Sequence, residues 1–248
     1  MTPLNEYQEN SQFEQDISQF EMVMNWANKV KNGNPEPLRR EQALQDLIKI
    51  LLRPIQAEHI RDAYLKPENK ARGSLTFPED FFSPYHLDLV YEIITKEERS
   101  SNIEFRKQHI LNLATDIVLP TSWNSCSIVD MLGTIGNVNR YLGSFEQSSN
   151  HRVTLILPLK IGFVTGGNHS IIQGIINGDG EIIPDQVIDL EQLSDIISFN
   201  GENWVDLPTG TSCERPRYQE FGWVWEIARL MPKQSTANTW SIGIDSYR

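Results

Sequence analysis

The run from Ile161 to Asn177 places glycines and polar side chains at a predicted helix start, an order suited to binding an anion. An apolar stretch, Ile161–Thr165, leads into Gly166 and Gly167, and a helix is predicted over Ser170 to Asn177. Such a strand-to-helix turn directs free backbone N–H groups and the positive end of the helix dipole at one point. Because glycine has no Cβ, the glycines would let an anion approach the backbone closely. The pattern predicts a phosphate group as the ligand.

Three polar residues in this turn supply further donors. Asn168 is suited to cap the helix, while His169 and Ser170 add side-chain donors within its first turn. The structural alternative is a simple strand-to-helix connection, with Asn168 as its cap and His169 as a hydrogen-bonded structural histidine. No Walker lysine follows the glycines and no G-x-G-x-x-G is present, so neither a P-loop nor a Rossmann nucleotide site is indicated.

The first part of the chain has the apolar spacing of three and four that is typical of helices. Proline and glycine punctuate it, because proline cannot continue a helix without losing a hydrogen bond. The predicted helices are Phe13–Val30, one from Leu38 that stops before Pro54, Gln56–Leu65, one opened by Ser83-Pro84, and Phe105–Leu113.

From Asp116 onward the pattern changes to short β-branched runs. Strands are predicted at Val153–Leu157, at Ile161–Thr165 and over Glu181–Leu190, the last interrupted at Pro184. A helix over Arg217–Leu230 and an edge strand over Thr239–Ile244 complete the prediction. The expected class is α+β, with a helical N-terminal region over residues 1–114 and an α+β domain with a C-terminal extension over residues 115–248.

Two short boxes within residues 115–190 resemble the ParB/sulfiredoxin-like superfamily, in a bacterial ParB-like branch. The first is an apolar strand that ends in Pro120 and is followed by a helix over Ile128–Gly136. The second is a strand, the turn Gly166–Ser170 and a helix, with a further strand after it. The resemblance implies a small mixed sheet with helices, preceded here by the helical N-terminal region.

The resemblance also implies a nucleotide of the ATP or CTP type, with Mg²⁺, bound through Gly166, Gly167, Asn168, His169 and Ser170. Asn168 stands where sulfiredoxins carry a cysteine, which argues against reductase chemistry. Ser170 stands where an arginine is common, so Arg140, Arg152 or Lys160 would have to supply the positive charge.

Catalysis at such a site would need a base. His169 is the best titratable candidate, since its ordinary pKa lies near neutrality. Asp116 precedes the strand of the first box and is the candidate acidic residue that could face the phosphate pocket.

The function expected from these features is binding of a nucleotide or other phosphate-bearing small molecule, with possible NTP hydrolysis or phosphotransfer. One alternative is a catalytically inactive interaction or regulatory module of the same fold, with a protein partner contacting the helical N-terminal region. A second alternative is a ParB-like nuclease, which would need a basic face.

The composition limits the partners and the compartment. The formal net charge is −11, and the window Glu181–Asp206 contains acids but no lysine or arginine, so strong binding to duplex DNA is not expected. Two cysteines far apart, Cys126 and Cys213, favour a reduced, cytoplasmic protein, and no four-ligand zinc pattern can be assembled. No apolar run approaches the length of a membrane span.

Overall fold

The protein has a mixed α+β fold. Its computed structural model describes residues 18–33, 35–65, 75–100, 102–121, 129–136 and 140–233. Within those ranges no helix combines the length and apolar composition needed to cross a membrane. The predicted edge strand Thr239–Ile244, and Cys126, lie outside the described residues.

Helices dominate the N-terminal part. They are α1 (Gln19–Gly33), α2 (Pro37–Leu65), α3 (Leu87–Ser100) and the short α4 (Ile103–Lys107). On α1, Val23 and Ala27 are buried four residues apart, which is the spacing that brings side chains onto one helix face. Two later helices, α5 (Asn168–Asn177) and α6 (Gln219–Arg229), confirm the helices expected after Gly167 and around Phe221.

Helix α2 corrects the prediction that a helix would stop before Pro54. The helix continues through this proline to Leu65. Pro54 lacks the N–H that would bond the carbonyl of Ile50, but both residues are exposed, so water can satisfy that carbonyl. Leu52 and Ile55 on either side of Pro54 are buried in the core, and this packing favours an uninterrupted helix.

The helix expected over Phe105–Leu113 is also shorter than predicted. Asn102 caps α4 by accepting the N–H of Phe105 at 2.9 Å, and the helix ends at Lys107. The chain then forms strand β1 (Leu111–Asn112), in which Leu111 pairs with Ile182 about 70 positions later. This tertiary pairing outweighs the local helical spacing.

Of the remaining strands, β5 pairs with β1, and the other seven form one four-stranded and one three-stranded sheet. They are β2 (Ile117–Leu119), β3 (Arg152–Leu157), β4 (Ile161–Gly166), β5 (Glu181–Ile182), β6 (Gln186–Asp189), β7 (Ile197–Phe199), β8 (Trp204–Asp206) and β9 (Thr211–Ser212). The four-stranded sheet has the order β2-β4-β3-β6, and the three-stranded sheet has the order β7-β8-β9.

The four-stranded sheet is mixed. Strand β2 runs parallel to β4, with Leu119 opposite Phe163, and β3 runs parallel to β6. Between them, β3 and β4 form an antiparallel hairpin. The expected small mixed sheet is therefore present, and both β2 and β4 run toward the edge where α5 begins.

Core residues cover both faces of this sheet. On one face, Ile171 of α5 packs with Val118, Val153 and Val164. On the other face, residues of α1, α2 and α6 pack with Ile117 and Phe163 in a single cluster. Residues on both sides of the expected boundary at 114/115 thus contribute to one core.

Candidate functional site

The turn between β4 and α5 has the predicted strand-turn-helix geometry. Strand β4 ends at Gly166, and Gly167 is the N-cap of α5 with a left-handed φ of 71°. The first-turn N–H groups of a helix have no intrahelical acceptor, and the helix dipole is positive at this end. The turn can therefore stabilise a negative charge.

The two glycines, however, are explained by packing within the protein. A Cβ on Gly167 would lie 2.3 Å from Cδ2 of His151, and a Cβ on Gly166 would lie 2.8 Å from the carbonyl oxygen of Asn150. The space that was expected to admit an anion is filled by the Asn150–His151 backbone and imidazole. Neither glycine is needed to let a ligand approach.

His151 and Ser170 form a clasp behind the turn. The backbone N–H of Ser148 donates to Nδ1 of His151 at 2.8 Å, so Nδ1 carries no proton. The neutral ring then carries its proton on Nε2, which lies 2.6 Å from Oγ of Ser170 and donates to it. The Ser170 hydroxyl donates in turn to the carbonyl of Gly167 at 3.3 Å. Burial lowers the pKa of His151 below its ordinary value, which maintains this neutral form.

This clasp changes the role expected for Ser170. His151 donates to the hydroxyl of Ser170 and cannot act as the base that would activate it. Both hydrogen-bonding functions of the hydroxyl are used within the turn. Ser170 therefore stabilises the turn and is not placed as a phosphate donor.

Asn168 does not cap α5, in contrast to the sequence-based expectation. Its Oδ1 accepts the backbone N–H of Thr121 at 2.7 Å, which ties the chain after β2 to the start of α5. The side chain is only 6% exposed. Because Oδ1 must face Thr121, the orientation of the amide is fixed and Nδ2 is left on the other side. Among the described residues, Nδ2 has no hydrogen-bond partner.

A cleft opens beside Asn168. It has a volume of about 670 Å³ and lies between the four-stranded sheet, α3 and residues 75–77. Thr121 follows β2, and Thr165 and Asn168 lie at the end of β4, so the cleft is at the carboxyl ends of these parallel strands. That is the position where open α/β sheets bind ligands.

The lining of the cleft combines aromatic and neutral polar side chains. Its aromatic residues are Phe77, Tyr91 and Phe163, and the rings of Phe77 and Phe163 lie 5.1 Å apart. The polar lining residues are Thr76, Thr121, Thr154, Thr165, Asn168 and Gln186. In the described part of the chain, no lysine, arginine, histidine, aspartate or glutamate lines it.

The two candidate catalytic residues do not line this cleft. His169 lies half-buried on the first turn of α5, and the described lining does not include it. Asp116 lies at the start of β2, at the opposite end of the strand from Thr121. It accepts the backbone N–H of Asn112 at 2.8 Å and pairs with Nζ of Lys49 at 3.1 Å. The structure does not bring Asp116 and His169 together.

Of the three cations expected to help, one lies beside the turn. Arg152 is opposite Gly166 in the β3–β4 hairpin, and its Nε lies 3.5 Å from the position of a Cβ on Gly166. Arg140 contacts Asn177 at the other end of α5, and Lys160 precedes β4 at the far end of the sheet. Within the described ranges, no group of histidine, cysteine and acidic residues is arranged to hold a metal ion.

The sequence-based role of Asn168 as a helix cap is wrong, whereas its role as a phosphate contact stays a prediction. Thr121, Thr165 and Tyr91 were missed. The strand order brings Thr121 next to Asn168. A signal existed in the sequence, because Thr121 and Thr165 each stand at the end of a predicted apolar strand. It could be used only by assuming that these strands are parallel neighbours.

The comparisons with known proteins identify a family. The family model DUF6710, described as a family of unknown function, matches residues 5–238. No curated protein and no solved structure matches the chain. Because the match spans nearly the whole sequence, the chain belongs to the DUF6710 family.

Proposed function

We propose that this protein binds a nucleotide, or another phosphate-bearing small molecule, in the cleft beside Asn168. The observation that carries the proposal is the amide of Asn168. Its acceptor is occupied by Thr121, while its donor lies at the cleft, next to the free N–H groups of α5. A side-chain amide donor next to a positive helix end is suited to an oxygen of a phosphate group.

The rest of the cleft suits the organic part of such a ligand. A volume of about 670 Å³ lies in the range of small-molecule sites. Phe77 and Tyr91 line the cleft, and stacking of a nucleobase on an aromatic ring is worth about 1–3 kcal/mol. The hydroxyl of Thr154 on β3 donates to Oε1 of Gln186 at 3.2 Å, so its oxygen can accept a hydrogen bond from a ribose hydroxyl.

We also propose the finer fold assignment, a ParB/sulfiredoxin-like unit over residues 115–190. What supports it is the order of elements. An apolar strand ends in Pro120, β4 leads through the Gly166–Gly167 turn into α5, and further strands follow α5. The resemblance implies a phosphate site at this turn, and the proposed site uses its Asn168 and the first-turn N–H groups of α5 instead of the packed glycines.

The lining favours binding over catalysis. The described lining residues supply hydroxyl and amide groups, but no carboxylate, imidazole or thiol that could act as a base or nucleophile. This observation supports the alternative of an interaction or regulatory module that responds to its ligand. Met22 and Trp26, exposed one turn apart on α1, offer such a module an apolar contact surface for a protein partner.

Phosphate release separates the two roles. A binding module incubated with ATP or CTP, with and without Mg²⁺, should release no phosphate above the rate without protein. Sustained release would instead assign the protein to the nucleotide hydrolases and would require a catalytic group that the described lining does not contain.

The binding proposal is tested by Asn168→Asp. The carboxylate can still accept the N–H of Thr121, and a negative charge at the start of a helix is favourable, so the fold should survive. The donor is lost and the new charge repels phosphate, so affinity for AMP, CMP, ATP and CTP should fall at least about tenfold. Calorimetric titration measures the affinity, and thermal melting checks the fold.

Asn200→Asp is the matched control. Asn200 also uses its side-chain oxygen to accept backbone N–H groups, from Glu202 and Asn203, and it lies in the β7–β8 turn. The control adds the same charge away from the cleft and should leave binding unchanged. Equal binding by the wild type and Asn168→Asp would reject the site.

A further inference from the structure

We infer that the phosphate-bearing ligand of this cleft is a nucleoside monophosphate, bound without Mg²⁺, and not a triphosphate. The inference rests on the proposed function and specifies its ligand class. It is based on the hydrogen-bond donors and the charges around the cleft. Three features of these groups favour a ligand with a single phosphate group.

The first feature is the lack of charge on the described lining, whose polar residues are threonine, asparagine, glutamine and tyrosine. A triphosphate carries far more charge than a monophosphate, whose charge is about −1.5 to −2 at neutral pH. Proteins that bind triphosphates neutralise the charge with lysine or arginine side chains and Mg²⁺.

The second feature is the acidic layer behind the cleft. The hydroxyl of Tyr91 donates to Oε1 of Glu79. Asp80 accepts both the N–H and the hydroxyl of Thr76, and it also pairs with Arg217 at 3.0 Å. The formal net charge of the whole chain is −11. The pair with Arg217 neutralises Asp80, so the charge of Glu79 and the net charge of the chain are what disfavour a polyanion in proportion to its charge.

The third feature is that the donors suffice for one phosphate group. They are the first-turn N–H groups of α5, Nδ2 of Asn168 and the hydroxyl of Thr165, all at one end of the cleft. Arg152 is the neighbouring cation, with its Nε 3.5 Å from the position of a Cβ on Gly166. One helix start and one guanidinium match the charge of a single phosphate group.

The test is calorimetric titration of the full-length wild-type protein with matched pairs, AMP with ATP and CMP with CTP. Each titration is repeated with Mg²⁺, and adenosine and cytidine are included. At least one monophosphate should bind about tenfold or more tightly than its triphosphate and than its nucleoside. Mg²⁺ should leave the affinity of the monophosphate unchanged.

Two variants, with a third as a control, examine the cause of the preference for a monophosphate. Arg152→Gln should weaken the monophosphate about tenfold, whereas Arg140→Gln, the same change at the other end of α5, should have no effect. Thr165→Lys adds a cation to the cleft wall, so it should improve triphosphate binding more than monophosphate binding. Melting curves confirm that each variant is folded.

The outcomes are distinguishable. A triphosphate that binds as tightly as its monophosphate would overturn the inference and leave the proposed function standing. A nucleoside that binds as tightly as its monophosphate would overturn the phosphate site and the inference together. If no nucleoside or nucleotide binds the folded wild type, the nucleotide proposal itself fails.

Discussion

At the scale of single residues, the turn after β4 divides its work between packing and binding. Gly166, Gly167 and Ser170 serve contacts with residues 150 and 151. Asn168 keeps one donor for the cleft. Glycine, asparagine and serine at a helix start are suited either to anion binding or to packing within the protein. Their partners in the structure are 16 to 47 positions away in the chain, so local spacing could not show which residue packs and which binds.

Gly167 should be intolerant of any side chain, whether or not a ligand is present. Gly167→Ala combines a left-handed φ with a Cβ 2.3 Å from Cδ2 of His151, so we expect a loss of about 2–4 kcal/mol in the free energy of unfolding. Gly210→Ala is the control, because its φ of 69° is similar and nothing lies within 4 Å of its Cβ. It should lose only about 1–2 kcal/mol. Equal losses in urea unfolding would contradict this account of Gly167.

The His151–Ser170 clasp should make stability depend on pH. Burial lowers the pKa of His151, and of His86 and His109, below the ordinary value of 6.5. As pH falls through that value, the unfolded chain takes up protons at these histidines before the folded protein does. The free energy of unfolding should therefore fall as pH decreases below about 6.5.

His151→Gln removes one of these groups. The decrease in the free energy of unfolding between about pH 7.5 and 5.5 should be smaller in this variant than in the wild type. Chemical denaturation at both pH values measures the difference. An identical decrease in the two proteins would show that His151 is not held neutral by the fold.

At the scale of elements, the predictions succeeded where packing and local pattern agree. The strands β3 and β4, the helix after Gly167, the break at Pro184 and the helix around Phe221 all follow from local spacing and turn residues. The continuous α2 and the β1–β5 pair do not. Contacts with distant residues determine both structures. The buried side chains on either side of Pro54 keep α2 continuous, and the pairing of Leu111 with Ile182 makes β1 a strand.

Replacing Pro54 tests the continuity of α2. In Pro54→Ala the new N–H can bond the carbonyl of Ile50, so the free energy of unfolding should rise by about 1–2 kcal/mol, after allowing for the more flexible unfolded chain. Pro37→Ala, at the first position of the same helix, should change it by less than about 0.5 kcal/mol, because the N–H there needs no helical partner. A marked loss of stability in Pro54→Ala would contradict an unstrained, continuous helix.

At the scale of the whole molecule, the cleft depends on features that sequence patterns do not contain. The order β2-β4-β3-β6 brings Thr121 beside Asn168, and the packing of α3 supplies Tyr91 as the opposite wall. The α+β class follows from the change of period at Asp116. Which strands pair, and which helix faces the sheet, is set by a core that joins residues of α2 to residues of β4.

The charge of the whole molecule makes duplex DNA a poor partner. With a formal net charge of −11, the protein repels a polyanion at long range. We expect no submicromolar binding in a gel shift at about 150 mM salt, since sequence-independent binding requires phosphate contacts from lysine and arginine. Submicromolar binding at that salt concentration would require a basic face and would reopen the nuclease alternative.

The most direct measurement of the central claim is a titration of the ¹⁵N-labelled protein with AMP and CMP, followed by amide NMR. We predict that the largest shifts fall on the side-chain amide of Asn168, the backbone N–H of Thr121 and the first-turn N–H groups of α5. Signals of the β7–β8 turn should stay in place. Shifts concentrated outside the cleft, or no shifts with either nucleotide, would contradict the account.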